Sequence, residues 1–218
     1  SMSTGNTERR TANAAAEAIR RTDDTRFTLR GSWDYGQDRQ DTDVPPDGSR
    51  DSWVLTQRRT YGNAKFDYFV TDPLYAYAAV TGENDIFADL QLRVTYGAGL
   101  GYQFFDEARF SLSGEAGVSY VDQRPYTPDL DRKYTAARLA YALRWDISDG
   151  TQLLQNVEIF PSLEDKDDVF GKADTRLRTS LTDTMFAQLQ WVFDYNNKPA
   201  PGTDRQDHRL VLGIGWSF

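Results

Sequence analysis

Cysteine is absent from this chain, and histidine occurs once. Without cysteine there is no disulfide framework, no thiolate metal site and no thiol nucleophile. A mechanism that needs an imidazole must use His208. No stretch approaches the roughly 18 consecutive apolar residues that a spanning helix needs. Positive charge is in deficit too: 33 acidic against 25 basic side chains leave a net charge of -8 and a pI near 4.7. That balance offers no basic surface to neutralise phosphates, so nucleic acid is excluded as a partner. No signal peptide is visible. Ser1-Met2 reads as the remnant of a removed tag, with a targeting segment expected to have been cut away upstream.

Aromatics, by contrast, are plentiful, with 12 Tyr, 12 Phe and 5 Trp. The mean hydropathy of -0.66 is too polar for a helical membrane protein. It is not too polar for a transmembrane β-barrel, whose strands alternate lipid-facing and lumen-facing residues. One barrel domain is expected over residues 1–218, as is usual for an all-β chain of this length.

Two kinds of connection alternate along the chain. Short ones are Arg21–Thr25, Thr71–Pro73, Asp106–Ala108, Ser148–Gly150 and Leu181–Thr184, each with Asp or another turn-forming residue. Long ones are Gly36–Asp51, Gly82–Asp89, Asp122–Asp131, Glu164–Lys172 and Asn196–Asp207. Short periplasmic turns alternating with long outer loops are the pattern of an outer-membrane barrel.

The intervening segments have a period of two. Leu90, Leu92, Val94, Tyr96, Ala98, Leu100, Tyr102 and Phe104 share one face, and the polar or glycine residues between them share the other. Phe110–Tyr120, Ala137–Ile147 and Met185–Tyr195 alternate too, although Ala140, Ala142, Phe186 and Val192 fall on their opposite faces. The stretches Thr7–Arg20 and Ser52–Ala64 alternate less cleanly, and their faces cannot be assigned. Aromatics sort by height. Phe27, Phe104, Phe110, Trp145, Trp216 and Phe218 lie near the turns, and Trp33, Tyr35, Tyr120, Trp191 and Tyr195 near the loops. Two such belts are what the two interfaces of a bilayer select.

In the last strand, Leu210, Leu212, Ile214, Trp216 and Phe218 form an apolar face expected to meet lipid. The segment resembles the closing strand of bacterial outer-membrane barrels, which the barrel-assembly machinery recognises. The fold expected is an antiparallel up-and-down transmembrane barrel of about 12 strands, all-β. Counting back from Phe218 leaves only Ser1–Thr4 for the first strand, so it is expected as a stub. Both termini are placed in the periplasm and the barrel in a Gram-negative outer membrane, against lipid and lipopolysaccharide.

Several segments together resemble a known family. Thr4-Gly-Asn-Thr7, Tyr96-Gly-Ala-Gly-Leu-Gly-Tyr102, Glu115-Ala-Gly-Val-Ser-Tyr120, Glu158-Ile-Phe-Pro-Ser-Leu163 and Asn197-Lys-Pro-Ala-Pro-Gly202 are similar to the YdiY-like proteins, a domain-of-unknown-function family of salt-induced outer-membrane proteins. The resemblance runs through the chain in order. It implies an outer-membrane barrel and a link to salt or envelope stress, and it implies no catalytic residues. Relatives carry a full strand before the Gly-Asn-Thr element, where this chain has the stub.

Alternation points Arg93, Arg138, Arg144, Arg176, Arg178 and Arg209 inward, together with Glu115, Glu158, Asp174 and Asp194. Two readings stand: a ladder of ion pairs filling the lumen, or a narrow pore whose arginine excess favours small anionic solutes. Glu115 and Glu158 are each expected to meet an inward arginine, chosen from Arg93, Arg138 and Arg144. Inward Gly97, Gly99, Gly101, Gly117, Gly213 and Gly215 are expected to leave space. The connections are acidic, with Glu83, Asp85, Asp122, Asp165 and Asp207 among their carboxylates, but Glu164–Asp168 lacks the spacing of a calcium loop. No metal site or cofactor is expected. An alternative is an outer-membrane lipid or ester hydrolase using His208, although no Gly-x-Ser-x-Gly element accompanies it.

Overall fold

The computed structural model describes residues 2–3, 9–40 and 52–216. They form one antiparallel sheet of twelve strands: β1 (Met2–Ser3), β2 (Arg9–Arg21), β3 (Thr25–Gln40), β4 (Ser52–Phe69), β5 (Leu74–Asp85), β6 (Leu90–Asp106), β7 (Phe110–Pro125), β8 (Arg132–Ser148), β9 (Thr151–Pro161), β10 (Val169–Ser180), β11 (Met185–Asn196) and β12 (Gln206–Trp216). Each strand pairs with the next in sequence, which is up-and-down topology. No helix occurs among the described residues.

Three of the short turns share one device. In Thr22-Asp-Asp-Thr25, Thr71-Asp-Pro-Leu74 and Thr182-Asp-Thr-Met185, the first threonine's Oγ1 accepts the amide N–H three residues on, at 3.1, 3.3 and 3.0 Å. The hydroxyl satisfies a donor that the reversing chain would otherwise leave open. On the opposite side the expected long loop at Gly82–Asp89 is shorter. Glu83 and Asp85 belong to β5, and Asp85 Oδ1 accepts the N–H groups of Phe87 and Ala88 at 3.1 and 3.3 Å to close a tight reversal. Asp122 and Asp207 also lie on strands.

The sheet curls until its ends face each other. Glu17 on β2 meets Arg176 on β10 at 3.2 Å, and Arg59 on β4 meets Asp194 on β11 at 2.5 Å. Arg209 on β12 stands 3.9 Å from Asp34 on β3. Among the described residues the backbone ladder runs from β1 to β12 without a rung between β12 and β1.

The outer wall carries the apolar parity. Leu210, Leu212, Ile214 and Trp216 are exposed, up to 77% at Leu212. Phe27, Phe104, Trp145 and Trp216 are exposed toward the turns, Trp33, Tyr120 and Trp191 toward the loops. Phe218 lies outside the described residues. Leu90 departs from the expected face: a bulge between Leu90 and Leu92 shifts the parity, and Leu90 is buried.

Inside, the half of the barrel made by β4–β9 is packed. Tyr75, Asp67 and Val121 are fully buried. The inward glycines of this half do not open a pore. A Cβ on Gly101 would overlap the ring of Tyr75, and one on Gly99 would stand 2.9 Å from Tyr77 Cε1. The two tyrosines lie flat across the glycines of neighbouring strands, an aromatic-over-glycine fit that also holds register. Phe186 covers Gly215 in the same way, whereas a Cβ on Gly213 would meet nothing within 4 Å.

Candidate functional site

At the centre of the packed half stands Arg138 on β8, 6% exposed. Its Nη1 donates to Glu115 Oε2 at 2.7 Å, and its Nη2 donates to Glu158 Oε1. Glu115 is further held by Lys65 at 2.6 Å and by the Tyr75 hydroxyl, which donates at 2.8 Å. Lys65 also pairs with the buried Asp67, whose other oxygen accepts from Arg26 Nε at 2.7 Å. The Arg138 guanidinium and the Lys65 ammonium face the rings of Tyr77 and Tyr75 at 4.9 and 5.2 Å. Every buried charge in this chain of groups therefore has an opposite charge or an aromatic face beside it. That is the condition under which such burial is tolerated.

Toward the loops a second cluster surrounds Arg59. Its guanidinium bonds Asp194 at 2.5 Å and Glu83 at 3.2 Å. Arg93 takes the other Glu83 oxygen at 2.6 Å and Gln123 at 2.8 Å, and stacks 4.5 Å from the ring centre of Phe170. Arg209 reaches Asp194 at 2.7 Å. Lys172 lies 4.0 Å from the centre of the Tyr61 ring and 3.7 Å from Glu83. A cavity of about 120 Å³ opens here, with Tyr61, Thr95 and Glu158 in its lining and Pro199 and Ala200 from the 197–205 connection at its edge. That connection is clasped to residues 162–168: Lys198 pairs with Asp165, and Asn197 Nδ2 donates to the Asp167 carbonyl at 2.8 Å.

The remaining half, lined by β2, β3 and β10–β12, is looser. Arg30 bonds Glu17 at 3.0 Å, Glu17 bonds Arg176, and Arg176 bonds Asp174 at 2.5 Å. Gln190 donates to Asp174 at 3.0 Å. The side chains of Arg30 and Glu17 keep 33% and 27% of their exposure, against none for Asp67.

The ten inward residues read from alternation thus fall in different places. Arg138, Glu115 and Glu158 come together, and one arginine serves both acids. Arg93, Asp194 and Arg209 belong to the loop-side cluster, while Asp174, Arg176 and Arg178 line the looser half. Arg144 is not a partner of Glu115 or Glu158. It sits at the turn end, bonded to Asp146 at 2.5 Å and to the carbonyls of Glu107 and Ala108. Arg59, Lys65, Asp67, Tyr75 and Tyr77 are central to the network and were not read from the sequence. A signal was available in Tyr75-Ala-Tyr-Ala78, where bulky and small residues alternate with the bulky ones inward.

His208 stacks on the outer wall against Phe193 and Trp191, with ring centres 4.8 and 6.0 Å apart. Among the described residues no serine or carboxylate hydrogen-bonds its ring, and no group of three or more His, Asp or Glu is placed to hold a metal.

The fold is that of an outer-membrane β-barrel. A crystal structure of the NanC porin superposes with a TM-score of 0.54 at 8% identity, over 95% of this chain and 99% of that one. The translocator domain of the autotransporter NalP from Neisseria meningitidis gives 0.48 at 10% identity, over 100% of this chain and 84% of that one. No curated protein matches the chain. Residues 1–218 match the family described as protein of unknown function, DUF481, and the chain belongs to that family.

Proposed function

We propose that this protein is an integral outer-membrane β-barrel that acts as a narrow passage for small charged solutes, closed over half its cross-section by a packed ion-pair core. The observation that carries the reading is Arg138 bridging Glu115 and Glu158 against the Tyr77 ring, with the Tyr75 hydroxyl donating to Glu115. A wide, wet lumen would hydrate those carboxylates and leave no reason for one buried guanidinium to serve both. What remains for solutes is the loop-side cavity and the looser half.

In this reading the outer face of β12 meets lipid, and with Phe218 it is the surface the barrel-assembly machinery recognises. The short turns face the periplasm, and the clasped loops face lipopolysaccharide. A role in salt or envelope stress rests on the family resemblance, and growth of a deletion strain in high salt tests it. The stacking of His208 favours a girdle residue over a hydrolase. His208→Ala should leave lipid and ester turnover in reconstituted vesicles unchanged.

The experiment is single-channel recording in planar bilayers beside a sixteen-stranded porin, whose lumen is an aqueous channel. The expected result is discrete currents far below the porin's. Currents of porin size would overturn the packed half.

A further inference from the structure

We infer that the looser half of the barrel is an anion-preferring lane and that Arg178 sets the preference. The inference rests on the narrow-passage reading above. The lane runs along the inner faces of β2, β3 and β10–β12, where water reaches charged side chains that are sealed elsewhere. Midway it is crossed by the linked pairs Arg30–Glu17–Arg176–Asp174. Two cations there face two anions, so the crossing is electrically balanced.

Arg178 breaks that balance. It projects into the lane one inward position closer to the turns than Arg176, paired in register with Gln152 and Gln188. Its Nη2 donates to Gln188 Oε1 at 3.2 Å, and its guanidinium lies 4.1 Å from the centre of the Phe186 ring. Its Nε is buried with no acceptor, and among the described residues no carboxylate stands within ion-pair distance of it. In the same register row, Gly213 on β12 pairs with Gln188 and leaves open space two strands from Arg178. The lane therefore holds a half-buried guanidinium whose charge no ion-paired carboxylate cancels. A ring or point of arginine charge in a low-dielectric passage concentrates anions and repels cations. The ligand class this fits is a small inorganic anion, of which chloride is the simplest probe.

The test is the reversal potential of the reconstituted barrel in a tenfold potassium chloride gradient. Wild type should reverse on the chloride side, and Arg178→Lys should keep that sign. Arg178→Gln should move the potential toward zero, and Arg178→Glu should carry it to the potassium side. Heat-modifiable gel migration shows which variants have folded. Where a variant does not fold, the wild-type sign still decides. Potassium preference in wild type, or an Arg178→Gln potential equal to wild type, would overturn the inference while leaving the narrow passage intact. Absence of any current would overturn both.

Discussion

Arg138 donates to Glu115 at 2.7 Å from within the packed half of the barrel, and the same guanidinium also holds Glu158. Removing it leaves two carboxylates facing each other's charge with Lys65 as the nearest cation for Glu115. Arg138→Ala is therefore expected to cost about 3–5 kcal/mol, the range for breaking a buried pair on one side. Urea unfolding from lipid vesicles measures it. Adding Glu115→Gln and Glu158→Gln to Arg138→Met should recover much of the loss. A single-variant loss below about 1 kcal/mol, the range of surface pairs, would mean that the core is hydrated.

The glycines separate space from packing. Gly101→Ala drives a methyl into the Tyr75 ring and should destabilise by about 1–3 kcal/mol, as overpacking does. Gly213→Ala meets open space and should stay within about 0.5 kcal/mol of wild type. Equal effects in the same unfolding assay would contradict the placement of the tyrosine rings.

Acid should loosen the loop clasp. Lys198 hydrogen-bonds the Asp165 carboxylate and holds its pKa below the ordinary aspartate value. A depressed folded-state pKa gives a contribution that is present above the unfolded value, about 3.9, and is lost as pH falls through the folded one. Amide exchange in residues 197–205 should thus stay slow from neutral pH down to about 4 and then rise relative to the intrinsic rate. Asp165→Asn should show the faster exchange already at neutral pH. Identical protection in the variant and wild type would remove the clasp.

The outer wall was legible because one rule governs it. Along Leu210–Trp216 and Leu92–Tyr102 every outward residue is apolar and every inward one except Val211 is polar or glycine, so period two is visible directly. The interior was less legible for physical reasons. On β4 the bulge opposite Gly36 and Gln37 shifts the register, and polar residues occupy both faces. Arg59, Lys65 and Asp67 were hidden there. On β5 the burial runs against the expected polarity: Tyr75 and Tyr77 point inward because Gly99, Gly101 and Gly117 on the next strands make room for them. Glu83 looked like loop because it follows Gly82 and precedes Asn84-Asp85. Its two arginine partners, which make it a strand residue, come from β4 and β6 and are distant in sequence.

The most direct measurement is spin-label accessibility along β12 in liposomes, with a label placed singly at each position from 209 to 214. Lipid-dissolved oxygen should reach labels at Leu210, Leu212 and Ile214 and be depleted at Arg209, Val211 and Gly213, in strict alternation. Uniform access by a water-soluble relaxer at both sets, or alternation of the opposite phase, would contradict a barrel that faces lipid with this wall and keeps its charges inside.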